Sequence, residues 1–155
     1  MSSSVGSGSA RPALRIVRVL GYFVFLSAFF LPAVSTVATP GSRDADVYKG
    51  SFCAWITIIN TFNHEFWQSR MFLAILSGWI NPLMLLFVSF QFSARLRVPR
   101  RIVAVLILLF VAGTWVYFYV APMVPLIGHF FWVAGILMIL CGEFAEWARN
   151  DKPKS

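Results

Sequence analysis

Four apolar stretches of about twenty residues each constrain the fold of this chain more than any other feature of its sequence. They run over about 19–37, 71–92, 102–120 and 124–142. An α-helix needs about 20 apolar residues to cross about 30 Å of hydrocarbon. The sequence therefore predicts an all-α integral membrane protein built as a four-helix transmembrane bundle.

The composition agrees with this prediction, and the four spans leave little chain for a second globular unit. Of 155 residues, 59% are hydrophobic and only 12% are charged, and the mean hydropathy is +0.75. Soluble domains rarely have such a composition. We expect a single transmembrane domain over 15–148, a flexible cytoplasmic tail over 1–14 and a second cytoplasmic tail over 149–155.

The basic residues indicate how the chain is oriented. Ten of the thirteen lie at the ends of the predicted spans that face one side, and only Arg43, Lys49 and Arg70 lie on the other. The positive-inside rule then places both termini in the cytoplasm. The net charge of +7 is explained by this orientation and by anionic lipid headgroups on the cytoplasmic side, so nucleic acid is not an expected partner.

The segment 51–68, between the first two spans, has apolar residues at helical spacing. Phe52, Trp55 and Ile59 fall on one face, while Thr57 and His64 fall on the other. This pattern predicts an amphipathic helix at the outer interface. The pattern leaves open whether the helix is a lid over the bundle, a docking surface for a partner or only a lipid anchor.

Small residues recur seven positions apart on two spans. Since seven residues make about two helical turns, each set forms a stripe that allows another backbone to approach closely. The stripes predict that the first and fourth spans pack together, and the alternative is that one stripe mediates self-association into a homo-oligomer. The six residues are Gly21, Ala28 and Ser35 in the first span and Gly128, Gly135 and Gly142 in the fourth.

Polar residues inside the spans are functional candidates because they are costly in lipid. Ser77, Asn81 and His129 form a candidate polar intramembrane site, and Pro82 predicts a kink in the second span. Broken helices of this kind line the binding sites of transporters, although an Asn-Pro pair also serves helix packing. A haem held between His64 and His129 is a remote alternative, and we otherwise expect no cofactor.

Two carboxylates, Glu143 and Glu146, lie at the cytoplasmic end of the fourth span. They oppose the helix dipole there and gain from a cationic partner. We expect ion pairs with the inner loop, and proton coupling is the alternative. The candidate partners are Arg95, Arg97, Arg100 and Arg101.

The end of the first span allows a competing interpretation. Small residues at Ala33 and Ser35, or at Thr36 and Ala38, are similar to a signal-peptidase site. Cleavage there would leave three spans.

No catalytic or metal-binding motif accompanies the spans. Cys53 and Cys141 fall on opposite sides of the bilayer, too far apart for a bridge within one chain. We therefore expect a small non-enzymatic structural, interaction or accessory component with a membrane-protein partner. The alternative is an oligomeric carrier or channel for a small solute.

A series of short motifs resembles small four-span bacterial membrane proteins of unknown function. The motifs are Leu-Pro at the end of the first span, Gly50–Cys53, Asn81–Pro82, the arginine-rich loop and Pro125–Trp132. The resemblance implies a multi-pass protein of the bacterial inner membrane and implies no catalytic residue.

Overall fold

The structure is a computed structural model that describes residues 10–36, 46–62, 72–121 and 123–150. The described chain is mostly helical. Its helices are α1 (Ala10–Ser27), α2 (Gly50–Asn60), α3 (Phe72–Gln91), α4 (Arg97–Val120) and α5 (Ile127–Asn150). Short 3₁₀ turns follow α1 at Ala28–Phe30 and precede α4 at Ala94–Leu96, and the strands are β1 (Pro32–Thr36), β2 (Val47–Lys49) and β3 (Met123–Pro125).

Four of the described helices are long and apolar enough to cross a membrane, which confirms that part of the prediction. The segments are Pro12–Phe30, Phe72–Gln91, Arg97–Val120 and Ile127–Ala148. Together they suggest a multi-pass membrane protein, with α2 as a shorter apolar helix between the first and second segments.

The boundaries of the first segment differ from those expected. Helix α1 begins at Ala10, inside the tail assigned to 1–14, and the helical turn after it ends at Phe30 instead of reaching 37. Leu31 is extended because it precedes Pro32, and a residue before proline disfavours the α conformation. The remainder of the expected tail lies outside the described residues.

The fourth segment is also shifted along the chain. Met123–Pro125 form a strand, so α5 begins at Ile127 instead of 124 and continues to Asn150, past the expected boundary at 148. The expected tail over 149–155 therefore begins inside a helix, and 151–155 lie outside the described residues.

A small antiparallel sheet is the largest departure from the all-α expectation. Its strands lie in the order β2-β1-β3, with Ser35 opposite Val47 on one side and Val124 on the other. Strands of three to five residues are too short for a period-two pattern to be recognised against neighbouring apolar helices. We call the end of the bundle that carries this sheet the sheet end.

The central position of β1 bears on the cleavage alternative. Ala33 is buried, and β1 bonds to a neighbouring strand on both sides. The backbone carbonyl of Ala33 also accepts a hydrogen bond from the amide of Leu126, at 2.8 Å. Cleavage at this point would interrupt the central strand of the sheet and separate α1 from α5, against which it packs.

Helix α2 confirms the helical prediction over Gly50–Asn60, and the rest of 51–68 lies outside the described residues beyond Phe62. Its Trp55 is 63% exposed, whereas Thr57 packs against Gly78 of α3 so closely that a side chain at Gly78 would collide with it. On α2, Trp55 and Ile59 thus point away from the bundle, whereas Thr57 points inward.

The spanning helices pack most closely as two pairs, α1 with α5 and α3 with α4. A Cβ atom built at Gly135 would lie 2.5 Å from the backbone nitrogen of Phe25, and one built at Gly128 would lie 2.7 Å from the carbonyl oxygen of Pro32. The glycine stripe of α5 therefore faces the first segment within the same chain. The side chains between the two pairs form a continuous buried core that includes Ile80, Phe87, Ile107, Ile136 and Ile139.

The stripe on the first segment is only partly as expected. Gly21 lies against Ile139 and Gly135, and Ala28 is 2% exposed in the 3₁₀ turn. Ser35 is not on this stripe, because the chain has already left the helix and Ser35 belongs to β1.

Candidate functional site

A cavity of about 400 Å³ opens at the sheet end, beneath α2 and between the two helix pairs. It brings together all three polar candidates from the spans, Ser77 and Asn81 of α3 and His129 of α5. Helix α2 supplies one wall through Cys53 and Thr57. Much of the remaining wall is aromatic, formed by Phe29, Tyr48, Phe52, Tyr117, Phe118 and Trp132.

The floor of the cavity is a hydrogen bond between two helices. The indole Nε1 of Trp132 donates to the side-chain oxygen of Asn81 at 3.0 Å. One turn further from the sheet lie Met84 of α3, which is 2% exposed, and Ile136 of α5, which is 0% exposed. Helix α3 is continuous through Pro82. The cavity is therefore blind on the side away from the sheet.

The serine and threonine hydroxyls that the helices contribute to the wall are bonded to their own helices. Ser77 donates to the carbonyl of Ala74 at 2.7 Å, and Thr114 donates to the carbonyl of Phe110 at 3.0 Å. Hydroxyls bonded in this way have less capacity to bind a ligand. In contrast, Asn81 of α3 and His129 of α5 contact side chains of other helices.

His129 is buried among aromatic rings, with only 6% of its surface exposed. Its ring centroid lies 4.7 Å from that of Phe118, 5.5 Å from Trp115 and 5.6 Å from Trp132. The Nε2 atom is buried and has no hydrogen-bond partner among the described residues. A buried polar atom left unsatisfied costs about 1–3 kcal/mol.

The described residues of the cavity wall carry no formal charge. None of its described lining residues is Asp, Glu, Lys or Arg. A charged ligand would leave water without a counter-charge, which is unfavourable in a buried site. The cavity therefore suits a neutral molecule.

The Cys53 thiol in the α2 wall provides a pH-dependent test of this environment. Burial raises the pKa of the thiol to about 11 from its ordinary 9.0. Because the thiolate is the nucleophile, alkylation of Cys53 in a Cys141→Ala variant should accelerate about tenfold per pH unit between about pH 7 and 10. Iodoacetamide labelling followed by mass spectrometry measures the rate.

The unfolded chain is the control for this prediction. The pKa difference of two units implies that folded Cys53 reacts about 100-fold more slowly than Cys53 in denaturant at pH 8. Equal rates in the folded and denatured chain would show that the thiol is not buried in the α2 wall.

The other end of the bundle carries a buried ion-pair cluster, and we call it the arginine end. Glu143, whose side chain is 1% exposed, lies 2.9 Å from an Arg18 nitrogen and 2.6 Å from an Arg100 nitrogen. Arg18 also reaches Glu146 at 2.8 Å. The cluster thus connects α1, α4 and α5 through two carboxylates and two guanidinium groups.

Of the predicted partners, Arg100 forms an ion pair with Glu143 in the described part of the chain. Arg101 instead lies 5.2 Å from the centre of the Trp147 ring, while Arg95 and Arg97 are exposed. Sequence reasoning missed Arg18, although a signal was present. Arg18 precedes Gly21 by one helical turn, so it lies on the stripe that contacts α5.

Comparison with protein-family models, with curated proteins and with solved structures finds no match. Within the described ranges, no group of three or more His, Cys, Asp or Glu residues is placed to hold a metal ion. The structure shows a mostly helical protein whose four apolar helices suggest a multi-pass membrane protein. It has a cavity with no formal charge among its described lining residues at one end and a buried charge cluster at the other.

Proposed function

We propose that this protein is a small non-enzymatic component of the bacterial inner membrane, an accessory or structural protein that acts through contacts with a membrane-protein partner. The proposal rests on one observation: noncovalent contacts join the elements of the bundle at both of its ends. The Glu143 cluster joins α1, α4 and α5 at the arginine end, and β1 joins β2 and β3 at the sheet end. Carriers transport by moving one half of the bundle against the other. The ion pairs and the sheet oppose such a movement.

In this proposal the arginine end faces the cytoplasm. The positive-inside rule supports that orientation, and the exposed Arg15, Arg95 and Arg97 are placed to contact anionic headgroups. Arg18 and Arg100 form ion pairs with Glu143, so their charges are neutralised within the bundle. The bacterial inner membrane follows from the motif resemblance.

One observation favours a second candidate, an oligomeric carrier or channel for a small neutral solute. Ser77 and Asn81 line the same cavity, at the middle of a proline-containing helix. Opening that cavity toward the arginine end would require the hydrogen bond between Asn81 and Trp132 to break.

A flux assay separates the two candidates. For an accessory protein, proteoliposomes should release small neutral solutes such as glycerol and urea no faster than protein-free vesicles, because the cavity is blind. Light scattering after an osmotic step measures the release.

The orientation is tested separately. Reporter fusions at the N-terminus and at the C-terminus should both report the cytoplasmic side.

Two leucine variants of α3 complete this test. Asn81→Leu alters the cavity floor, whereas Ser89→Leu makes the same kind of change at an exposed position of the same helix. Fast release that Asn81→Leu abolishes and Ser89→Leu preserves would refute the accessory function in favour of the carrier.

A further inference from the structure

We propose that α2 is embedded in the half of the bilayer nearer the sheet end, where lipid acyl chains cover the face that carries Trp55, Ile58 and Ile59. This position is deeper than that of an amphipathic helix lying on the membrane surface. The inference goes beyond the proposed function, since it requires a bilayer around the four apolar helices but no protein partner.

The side chains of α2 are arranged in the opposite way to those of a surface helix in water. Gly50–Asn60 contains no Asp, Glu, Lys or Arg, and Trp55, Ile58 and Ile59 are 63%, 38% and 45% exposed. The α2 residues that line the cavity are Phe52, Cys53, Ala54, Ile56, Thr57 and Asn60. A helix at a water-exposed surface turns its large apolar side chains toward the core. Because α2 turns three of them away from it, the surroundings of α2 are apolar.

The contact between α2 and α3 indicates the depth of α2. Helix α3 has 20 residues, so it is about 30 Å long and matches the thickness of the hydrocarbon. Thr57 packs against Gly78, which lies six residues after Phe72 and therefore about 9 Å along the helix axis. Thr57 is thus level with the hydrocarbon. With 11 residues, α2 is about 16 Å long, roughly half of the thickness that a spanning helix must cross.

The size of the exposed side chains favours lipid over another helix. Helices in membranes contact each other through small residues that let two backbones approach, as Gly78 does for Thr57. The outer face of α2 instead presents one indole ring and two isoleucines, which keep another backbone at a distance. An exposed apolar surface of the same kind continues on α3, where Trp79 follows Gly78 and is 41% exposed. Flexible acyl chains can cover both helices.

The test measures the surroundings of single spin labels in the full-length protein. The variant Cys53→Ala, Cys141→Ala receives one nitroxide at Ile59→Cys and is reconstituted in liposomes. Electron paramagnetic resonance then measures collisions with oxygen, which concentrates in hydrocarbon, and with a polar nickel chelate, which stays in water. We expect the ratio of oxygen to nickel collisions to be about tenfold higher at Ile59 than at Val47→Cys, a control in β2 that is 58% exposed. Leu85→Cys, 73% exposed in α3, should match Ile59.

Each other outcome has a distinct meaning. Frequent nickel collisions at Ile59 would show that water covers this face, and rare collisions with both reagents would show that a second copy of the chain covers it. Either result would overturn the proposal. A low ratio at Leu85 would contradict the bilayer around the four helices, and with it the proposed function. Trp55→Cys repeats the measurement on the same face, so the result does not depend on one variant.

Discussion

Replacing Glu143 with glutamine should destabilise the protein more than any other single change of a charged side chain in its described residues. Glu143 accepts a hydrogen bond from Arg18 and forms an ion pair with Arg100, and its side chain is 1% exposed. Glutamine keeps the shape but removes the negative charge, so two largely buried guanidinium groups lose their counter-charge. Breaking a buried pair in this way costs about 3–5 kcal/mol. Thermal unfolding in detergent, followed by tryptophan fluorescence, measures the loss.

Glu146 provides the matched control, since it lies one turn further along the same helix. Its side chain is 38% exposed and pairs with Arg18 at 2.8 Å. Exposed pairs contribute about 1 kcal/mol or less, so Glu146→Gln should shift the unfolding midpoint only slightly. If the two variants unfolded together, the cluster would not depend on burial of Glu143.

Replacing Gly135 with alanine should loosen the contact between α1 and α5. The added Cβ would lie 2.5 Å from the backbone nitrogen of Phe25 and 2.7 Å from its Cα atom. Backbone atoms cannot move aside as a flexible side chain does, so the two helices must separate. Overpacking of this kind costs about 1–3 kcal/mol, and a lower unfolding midpoint would report it.

Gly113 in α4 is the control for this substitution. A Cβ built there meets nothing within 4 Å. Alanine is the better helix former by up to about 1 kcal/mol, so Gly113→Ala should leave stability unchanged or raise it. Equal destabilisation by both substitutions would indicate a general effect of adding a methyl group and would contradict a specific close approach at Gly135.

Much of the candidate site could be anticipated from residue type alone. Ser77, Asn81 and His129 stand out because polar side chains inside apolar helices are costly, and the structure brings all three to one cavity. Their partners could not be anticipated. Trp132 binds Asn81 across two helices, and that pairing depends on how α3 and α5 are rotated against each other.

The ion-pair cluster was likewise anticipated only in part. Glu143 is conspicuous as an acid at the end of an apolar helix, and Arg100 was among its four candidate partners. Arg18 became its hydrogen-bonded partner because the glycines of α5 allow α1 to come close enough for a long side chain to reach. A contact across 125 positions of sequence depends on the pairing of helices, which hydropathy does not specify.

The amino-acid sequence by itself determined the four apolar helices and the uneven distribution of arginine, because the length of an apolar run and the position of charge are local properties. Only the tertiary structure decided that β1 lies between β2 and β3, that α2 turns Thr57 toward the cavity, and that His129 Nε2 is left without a partner in the described chain. These features arise from the packing of segments distant in sequence, and no local pattern of residues specifies which side chains will meet.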